Sequence, residues 1–333
     1  MLAAGLLLVS GSAAAQTRSD APQQDLPALQ NRVASLGDIV SKLPKFSGYA
    51  QLGYQLSENV SAFEVRSVRM SFAGDLGRRF DYKFQFEFAS PRLVDAFVRY
   101  KLNSAFNVQF GQFLVPFSIE GPMGILDLET ITNSALVKDI CNTPDQRDIG
   151  IQVSGAFLPR EGFSIINYAA GIFNGEGKNT PDANKSKDVM GRLNINPMRQ
   201  LTLSGSFSYG ELSETYIKNT RYAAGLQWRG EHLLLRSEYL NRKSVSAGVE
   251  QVTDGCYVLA GWYMKNNTIC PLVRYSIYDN RMAGQSSQQS SYLVGIDYRP
   301  WKHLRLQANY TYTAFDNADN NSGLFVFVLT GIF

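Results

Sequence analysis

The sequence predicts an all-β fold, a transmembrane up-and-down antiparallel β-barrel of about 16 strands with a long third extracellular loop folded into the lumen. Three observations lead there. From Phe46 to the last residue, Phe333, stretches of about ten residues alternate apolar and polar side chains and then turn, as in VQFGQFLVPF at 108–117, and a period of two is a strand with two unlike faces. The chain holds 17 Tyr, 20 Phe and 3 Trp although only 44% of it is hydrophobic, and helical periodicity is too scarce to hide those rings in a helical core. No stretch after residue 16 is an unbroken apolar run of eighteen, so a helical membrane span is excluded.

The elements follow in order. MLAAGLLLVSGSAAAQ has a short apolar segment and then Ala13-Ala14-Ala15, a pattern suited to cleavage before Gln16, so residues 1–15 are expected to be a signal peptide despite the missing basic start. Residues 16–45 are expected to be a periplasmic N-terminal segment. Within it Leu26, Leu29, Val33, Leu36, Val40 and Leu43 are spaced three, four, three, four, three, a short heptad seam. A solitary amphipathic helix, a tether and a short coiled coil joining subunits all stay open. Pro44 ends the seam, and 46–333 are left to the barrel.

Sixteen segments with strand character begin near 46, 63, 81, 94, 107, 148, 163, 188, 201, 220, 232, 256, 269, 291, 304 and 323. Short connections such as NSAF, PREG, PMRQ, RGE and RPWK alternate with long ones at 118–147, 174–187, 211–219, 244–254, 280–290 and 316–322. Even strand number and short/long alternation describe periplasmic turns and extracellular loops. A bilayer offers no water to unpaired backbone groups, so the sheet must close. Prolines agree: Pro91, Pro116, Pro159, Pro197, Pro271 and Pro300 fall in connections or at strand ends, as a wall without edge strands requires.

Parity separates the faces. Tyr82, Phe84 and Phe86, Ile149 and Ile151, Tyr292, Val294, Ile296 and Tyr298, and Leu304, Leu306, Tyr310 and Tyr312 are expected to face lipid, with Tyr and Trp crowding the strand ends as interface girdles. In the fifth strand Gln112 breaks the parity, which a bulge at Gly111 would reconcile. The inward parity carries eleven bases, Arg69, Lys83, Arg99, Lys101, Arg192, Arg221, Arg229, Arg236, Arg274, Arg299 and Arg305, against four acids, Glu87, Asp95, Glu238 and Asp297. A wall so biased concentrates anions. The alternative, that several of these bases pair with the acids or sit at the rim, stays beside it.

The connection 118–147 is the widest interruption. Its middle, ILDLETITNSALVKDI, has apolar spacing and helix formers, and a long loop with structure of its own is functional or folded back on something. It is expected to form the constriction and to bring Lys138, with Asp127, Glu129 and Asp139, near the narrowest point; an extracellular cap is the alternative.

Other classes fit poorly. A net charge of +3 without a basic run gives no expectation of nucleic acid. Cys141, Cys256 and Cys270 make an odd count with no CxxC, so no metal site, cofactor or disulfide framework is expected. The only histidines, His232 and His303, map to periplasmic turns, and no nucleophile with its base is in view, so no enzyme is expected.

RSVRMSFAGDLGRRFDYKFQFEFA, then LVDAFVRYKLNSAFNVQFGQFLVPFSIE, RDIGIQVSG and YAAGIFNGEG, together covering roughly residues 63–175, resemble the phosphate-selective porin O and P family. The resemblance implies a homotrimeric, sixteen-stranded anion channel of a Gram-negative outer membrane, with arginines lining the lumen and an inward-folded third loop. Such a porin passes small anions by passive diffusion, phosphate among the candidates. In this chain, however, Lys138 alone stands for bases in the middle of the long loop. A general or sugar porin, and a structural or adhesive barrel, are the other readings. The last strand, GLFVFVLTGIF, with Phe325, Phe327, Leu329 and Phe333 on one parity, resembles the signal that hands barrels to their assembly machinery.

Overall fold

The computed structural model describes residues 30–32, 35, 43–141, 146–182, 184–212 and 217–333. Residues 30–32 and 35 are helical; the expected signal peptide and most of the heptad seam lie outside the described residues. The chain divides into Met1–Leu43 and Pro44–Phe333, and the second unit is the barrel.

Its strands are β1 (Lys45–Ser57), β2 (Ser61–Asp75), β3 (Phe80–Glu87), β4 (Arg92–Asn103), β5 (Phe106–Leu114), β6 (Arg147–Arg160), β7 (Phe163–Phe173), β8 (Asp188–Met198), β9 (Leu201–Leu212), β10 (Ile217–Arg229), β11 (Leu233–Ser246), β12 (Val249–Trp262), β13 (Ile269–Met282), β14 (Gln285–Trp301), β15 (Leu304–Phe315) and β16 (Ser322–Ile332). Each pairs antiparallel with its sequence neighbours, and β1 with β16 closes the wall. At that seam Gly48 N donates to Phe333 O at 2.8 Å and Phe333 N to Gly48 O at 3.0 Å, so the chain's last residue is tied into the ladder. Closure is what satisfies every strand's backbone in lipid.

The two faces differ as the alternation requires. Along β13, Val273 and Tyr275 are exposed while Leu272, Arg274 and Ser276 are buried. The exposed large apolar side chains of the wall include Tyr222, Tyr239, Tyr275, Tyr292, Tyr310, Trp262 and Trp301. Tyr275 lies directly opposite Tyr292 with ring centroids 5.1 Å apart, a cross-strand pair that adds packing on the lipid side. The other parity therefore faces the interior.

Two details differ from the sequence reading. The expected long connections at 244–254 and 280–290 are two-residue hairpins, and β9 and β10 leave only 213–216 between them. Ala247 and Gly248 have φ of +48° and +81°, and Ala283 and Gly284 +51° and +81°. Positive φ at both central residues is the type I′ geometry that matches strand twist, and Ala-Gly is a weaker sign of it than Asn-Gly. The flanking polar residues continue the strands, with Gln251 Nε2 donating to Asn280 Oδ1 at 2.8 Å. Strict short/long alternation thus fails, and 115–146 and 174–187 stand out as the long connections.

Second, pairing runs unbroken through Gly111 on both sides, with no bulge there. Gly111 instead takes φ of +131°, and a Cβ on it would lie 2.1 Å from the Ala96 carbonyl oxygen, so no other residue fits. Gln112 is buried, donating to Val94 O at 2.9 Å and accepting from Asn179 N at 2.6 Å. Cys256 faces Ile277 across β12 and β13. Ile277 is seven residues from Cys270, about 23 Å along a strand, and all three cysteines are free.

Candidate functional site

The third loop of the sequence reading, the β5–β6 connection at 115–146, has one helix among its described residues, α1 (Ala135–Cys141). Ser134 begins it: its Oγ accepts from Val137 N at 3.2 Å, and its own N–H donates to Glu120 Oε2 at 3.0 Å, so one free donor of the first turn and the cap's own N–H are met within the loop. Leu136, Val137, Ile140 and Cys141, with Phe117, pack on Leu234, Leu240, Leu259, Leu272 and Leu293, which are interior-parity residues of β11 to β14. Burying a side chain of this kind contributes about 1.5–3 kcal/mol, and these leucines interrupt an otherwise polar face.

Interior arginines hold the rest of the loop. Arg305 donates to the carbonyls of Ile125 at 3.3 Å, Leu126 at 3.1 Å and Leu128, while Asp297 accepts from its Nε at 2.7 Å. Arg274 donates to Thr132 O at 3.2 Å, Arg221 to Cys141 O at 2.9 Å, Arg192 to Ser118 O at 3.0 Å and Arg242 to Asp139 O at 2.5 Å. Arg236, which has no exposed surface, pairs with Glu129 at 3.0 Å and Glu120 at 3.5 Å. Glu238 completes the attachment, accepting from Ile119 N at 2.7 Å, Ser118 Oγ at 3.0 Å and Tyr257 OH at 3.1 Å. Backbone carbonyls without a strand partner need donors, and arginine offers five in a fixed fork.

Between this loop and β2, β5 and β6 lies a cavity of about 290 Å3. Arg66, Arg69, Lys138 and Arg147 line it together with Leu114, Met123, Ile125 and Leu128, and no carboxylate is among the described lining residues, although Glu64, Glu87 and Asp95 pair with the three arginines from outside it. Lys138 has no carboxylate within ion-pair distance among the described residues. Burial first, then Arg274 and Arg66, lower its pKa to about 8. The loop acids are turned elsewhere: Glu129 to Arg236, Arg229 and Tyr263, Asp139 to Arg242, and Asp127 to Gly124 N. Burial pushes the Glu129 carboxyl up, but Arg236 and Arg229 together hold it below the usual range.

The twelve bases read from the sequence fall into groups. Arg69 with Glu87 (3.0 Å), Lys83 with Asp95 (2.8 Å), and Arg99 (2.7 Å) and Lys101 with Asp81 lie on β2 to β4. Arg221 with Asp188 (3.1 Å), Arg229 and Arg236 with Glu129, and Arg299 (3.0 Å) and Arg305 with Asp297 lie on β10, β11, β14 and β15. Arg192 and Arg274 are engaged with the loop, and Lys138 and Arg69 meet at the cavity. Parity counting missed five acids that meet these bases: Asp75, Asp81 and Asp188 at strand ends, and Glu120 and Glu129 carried in by the loop. It also missed Arg66, Arg147 and Arg242. Arg66 sits where the β1–β2 register shifts, between Gln51 and Leu52 on the facing strand, which defeats simple parity. The interior leucines were a readable signal for the loop's seat.

A closed sixteen-stranded barrel with an apolar outer face and a charged interior is the architecture of a porin of the Gram-negative outer membrane, the class that the family match places this chain in. The signature of the phosphate-selective porin O and P family matches residues 45–231, more than half of the chain, and the protein belongs to that family. No curated protein matches the sequence. The fold is similar to that of a loop L8 deletion mutant of OmpT from Vibrio cholerae, at TM-score 0.70 and 11% identity over 87% of this chain and 99% of that one. It is also similar to an anion-selective porin from Comamonas acidovorans (TM-score 0.65, 14% identity, 87% and 99%) and to the outer membrane channel DcaP of Acinetobacter baumannii (0.62, 14%, 87% and 97%). At such identities the likeness is one of fold.

Proposed function

We propose that the protein lets small anions diffuse passively across the outer membrane, with the third loop folded into the lumen as the constriction and the opening between that loop and β2 as the path. Phosphate is one candidate solute. The observation that carries the reading is the lining of that opening by Arg66, Arg69, Lys138 and Arg147, with no carboxylate among the described lining residues; Glu64, Glu87 and Asp95 pair with the three arginines from outside the lining, and Lys138 has no such partner among the described residues. Low-dielectric walls focus the field of such a cluster along the passage, favouring anions. The likeness to an anion-selective porin agrees with it.

The other interior bases are, in this reading, anchors for the loop and modest contributors to the field. A non-selective general or sugar porin is the second reading, favoured by the pairing of nine of the eleven wall bases with acids. A barrel with no transport, structural or adhesive, would show no conductance. The assembly we propose is a homotrimer, as in the trimer form of OmpT, with lipid against the exposed apolar parity and the barrel-assembly machinery reading the strand that ends at Phe333. The reversal potential of the purified protein in a planar bilayer under a tenfold KCl gradient tests the proposal. Perfect selectivity would give about 59 mV; a sign favouring chloride is expected, a value near zero supports the second reading, and a sign favouring potassium overturns the proposal.

A further inference from the structure

We propose that the cavity between the third loop and β2 prefers organic carboxylates bearing an apolar body, benzoate for example, over small hydrophilic anions such as acetate or phosphate. This rests on the reading of that cavity as the anion path. Two opposed surfaces meet there. On one side stand Arg66, Arg69 and Lys138; Glu87 engages Arg69 through Nε, and among the described residues no other partner takes its terminal nitrogens. An arginine fork matches the two oxygens of a carboxylate.

Opposite them the loop presents Met123 and Ile125, with Leu114 of β5 nearby, all partly exposed within the cavity. These residues do not belong to the cluster that seats the loop, which uses Phe117, Leu136, Val137, Ile140 and Cys141. Their apolar surface is thus left to whatever occupies the cavity. It is also held in place, because Arg305 fixes the carbonyls of Ile125, Leu126 and Leu128 from behind. Methionine adapts readily to a ring edge. Acetate and phosphate can meet the basic side but have no body to cover the apolar one, whereas a benzoate ring releases water from both surfaces when it docks.

The experiment is block of the potassium chloride current through the purified full chain in planar bilayers by benzoate, acetate, phosphate and the uncharged benzyl alcohol. Benzoate is expected to half-block at about one-tenth the acetate concentration, which corresponds to about 1.4 kcal/mol, and below phosphate and benzyl alcohol. Met123→Ser and Ile125→Ser, judged only in channels that insert and conduct, should each bring benzoate to within about twofold of acetate. Equal block by benzoate and acetate, stronger block by phosphate or benzyl alcohol, or an unchanged benzoate-to-acetate ratio in both variants would overturn the preference. The wild-type chloride-to-potassium ratio from the same bilayers separates the two readings. A potassium preference defeats the anion path itself, and a chloride preference without a benzoate advantage defeats only this inference.

Discussion

Arg236→Ala should loosen the third loop, whereas Arg229→Ala should leave it seated, although both arginines pair with Glu129. Arg236 is fully buried, and Glu120 and Glu129 beside it are almost as inaccessible. Removing one partner of a buried ion pair costs about 3–5 kcal/mol because the remaining charge stays desolvated. Here the cost falls mainly on Glu120, which among the described residues keeps only the Ser134 N–H, while Glu129 retains Arg229 and the Tyr263 hydroxyl. The Arg229 side chain is 48% exposed, so solvent screens its pairing and the loss is about 0–1 kcal/mol. At about 1.4 kcal/mol per decade, Arg236→Ala should shift the ratio of seated to released loop by roughly two to three and a half decades. Protease cleavage within 115–146 of the folded protein, with single-channel current noise beside it, reads this directly. Equal cleavage of the two variants, or an Arg236 variant as resistant as the parent, would refute the assignment of Arg236 as the buried anchor.

Raising the pH from 7 to 9 should weaken chloride preference with a midpoint near 8, since Lys138 loses its charge as pH passes its lowered pKa of about 8, and a Lys138→Gln channel should stay flat across that range in reversal potential. The same lowered pKa means the released loop holds more protons than the seated one between about 8 and the ordinary lysine value, so seating strengthens with rising pH in that window; protease resistance of 115–146 checks the sign. Ile277→Cys should oxidise to a bridge with Cys256, its directly opposite partner, whereas native Cys270 should not, as mass spectrometry of the oxidised protein would tell. Val98→Arg on the lipid face of β4, where Val98 is 38% exposed, should impair assembly by about 2–4 kcal/mol if it sits near mid-membrane, while Arg99→Ala leaves Asp81 its Lys101 partner and the barrel intact, the heat-dependent gel shift of folded barrels being the readout.

Much of the wall was legible because period-two alternation is a local property. All sixteen strands were expected, and Tyr292, Val294 and Tyr310 are outward as read. What was not legible depends on neighbours. Whether 244–254 is a loop or a hairpin turns on the positive φ of Ala247, which the residue type barely signals. Which acids meet the interior bases depends on register across strands, as with Asp81 opposite Arg99, and on a loop returning from far along the chain, as with Glu129 beside Arg236. Lys138 was readable as a candidate from its place in the loop, but its companions Arg66 and Arg147 were not, since one sits beside a register shift and the other at a strand end.

A count of interior arginines therefore measures two different things at once. An arginine with a carboxylate about 3 Å away is close to a dipole, whose field fades faster with distance than that of a lone charge, and Arg305 with Asp297 or Arg221 with Asp188 belongs to this kind. The same fork also satisfies carbonyls of a loop that has no strand to pair with, so these arginines are required wherever such a loop is seated, whatever the solute. The loop brings Glu120 and Glu129 with it and turns both toward β11, which neutralises the wall on that side. Lys138, on the loop's other flank, is turned toward β2, where Arg66 and Arg69 already stand. Arg66 and Arg69 are themselves paired, with Glu64 at 2.8 Å and Glu87 at 3.0 Å, so on the side facing β2 it is Lys138, without a carboxylate at ion-pair distance among the described residues, and not the total charge, that a passing anion would meet as a lone charge.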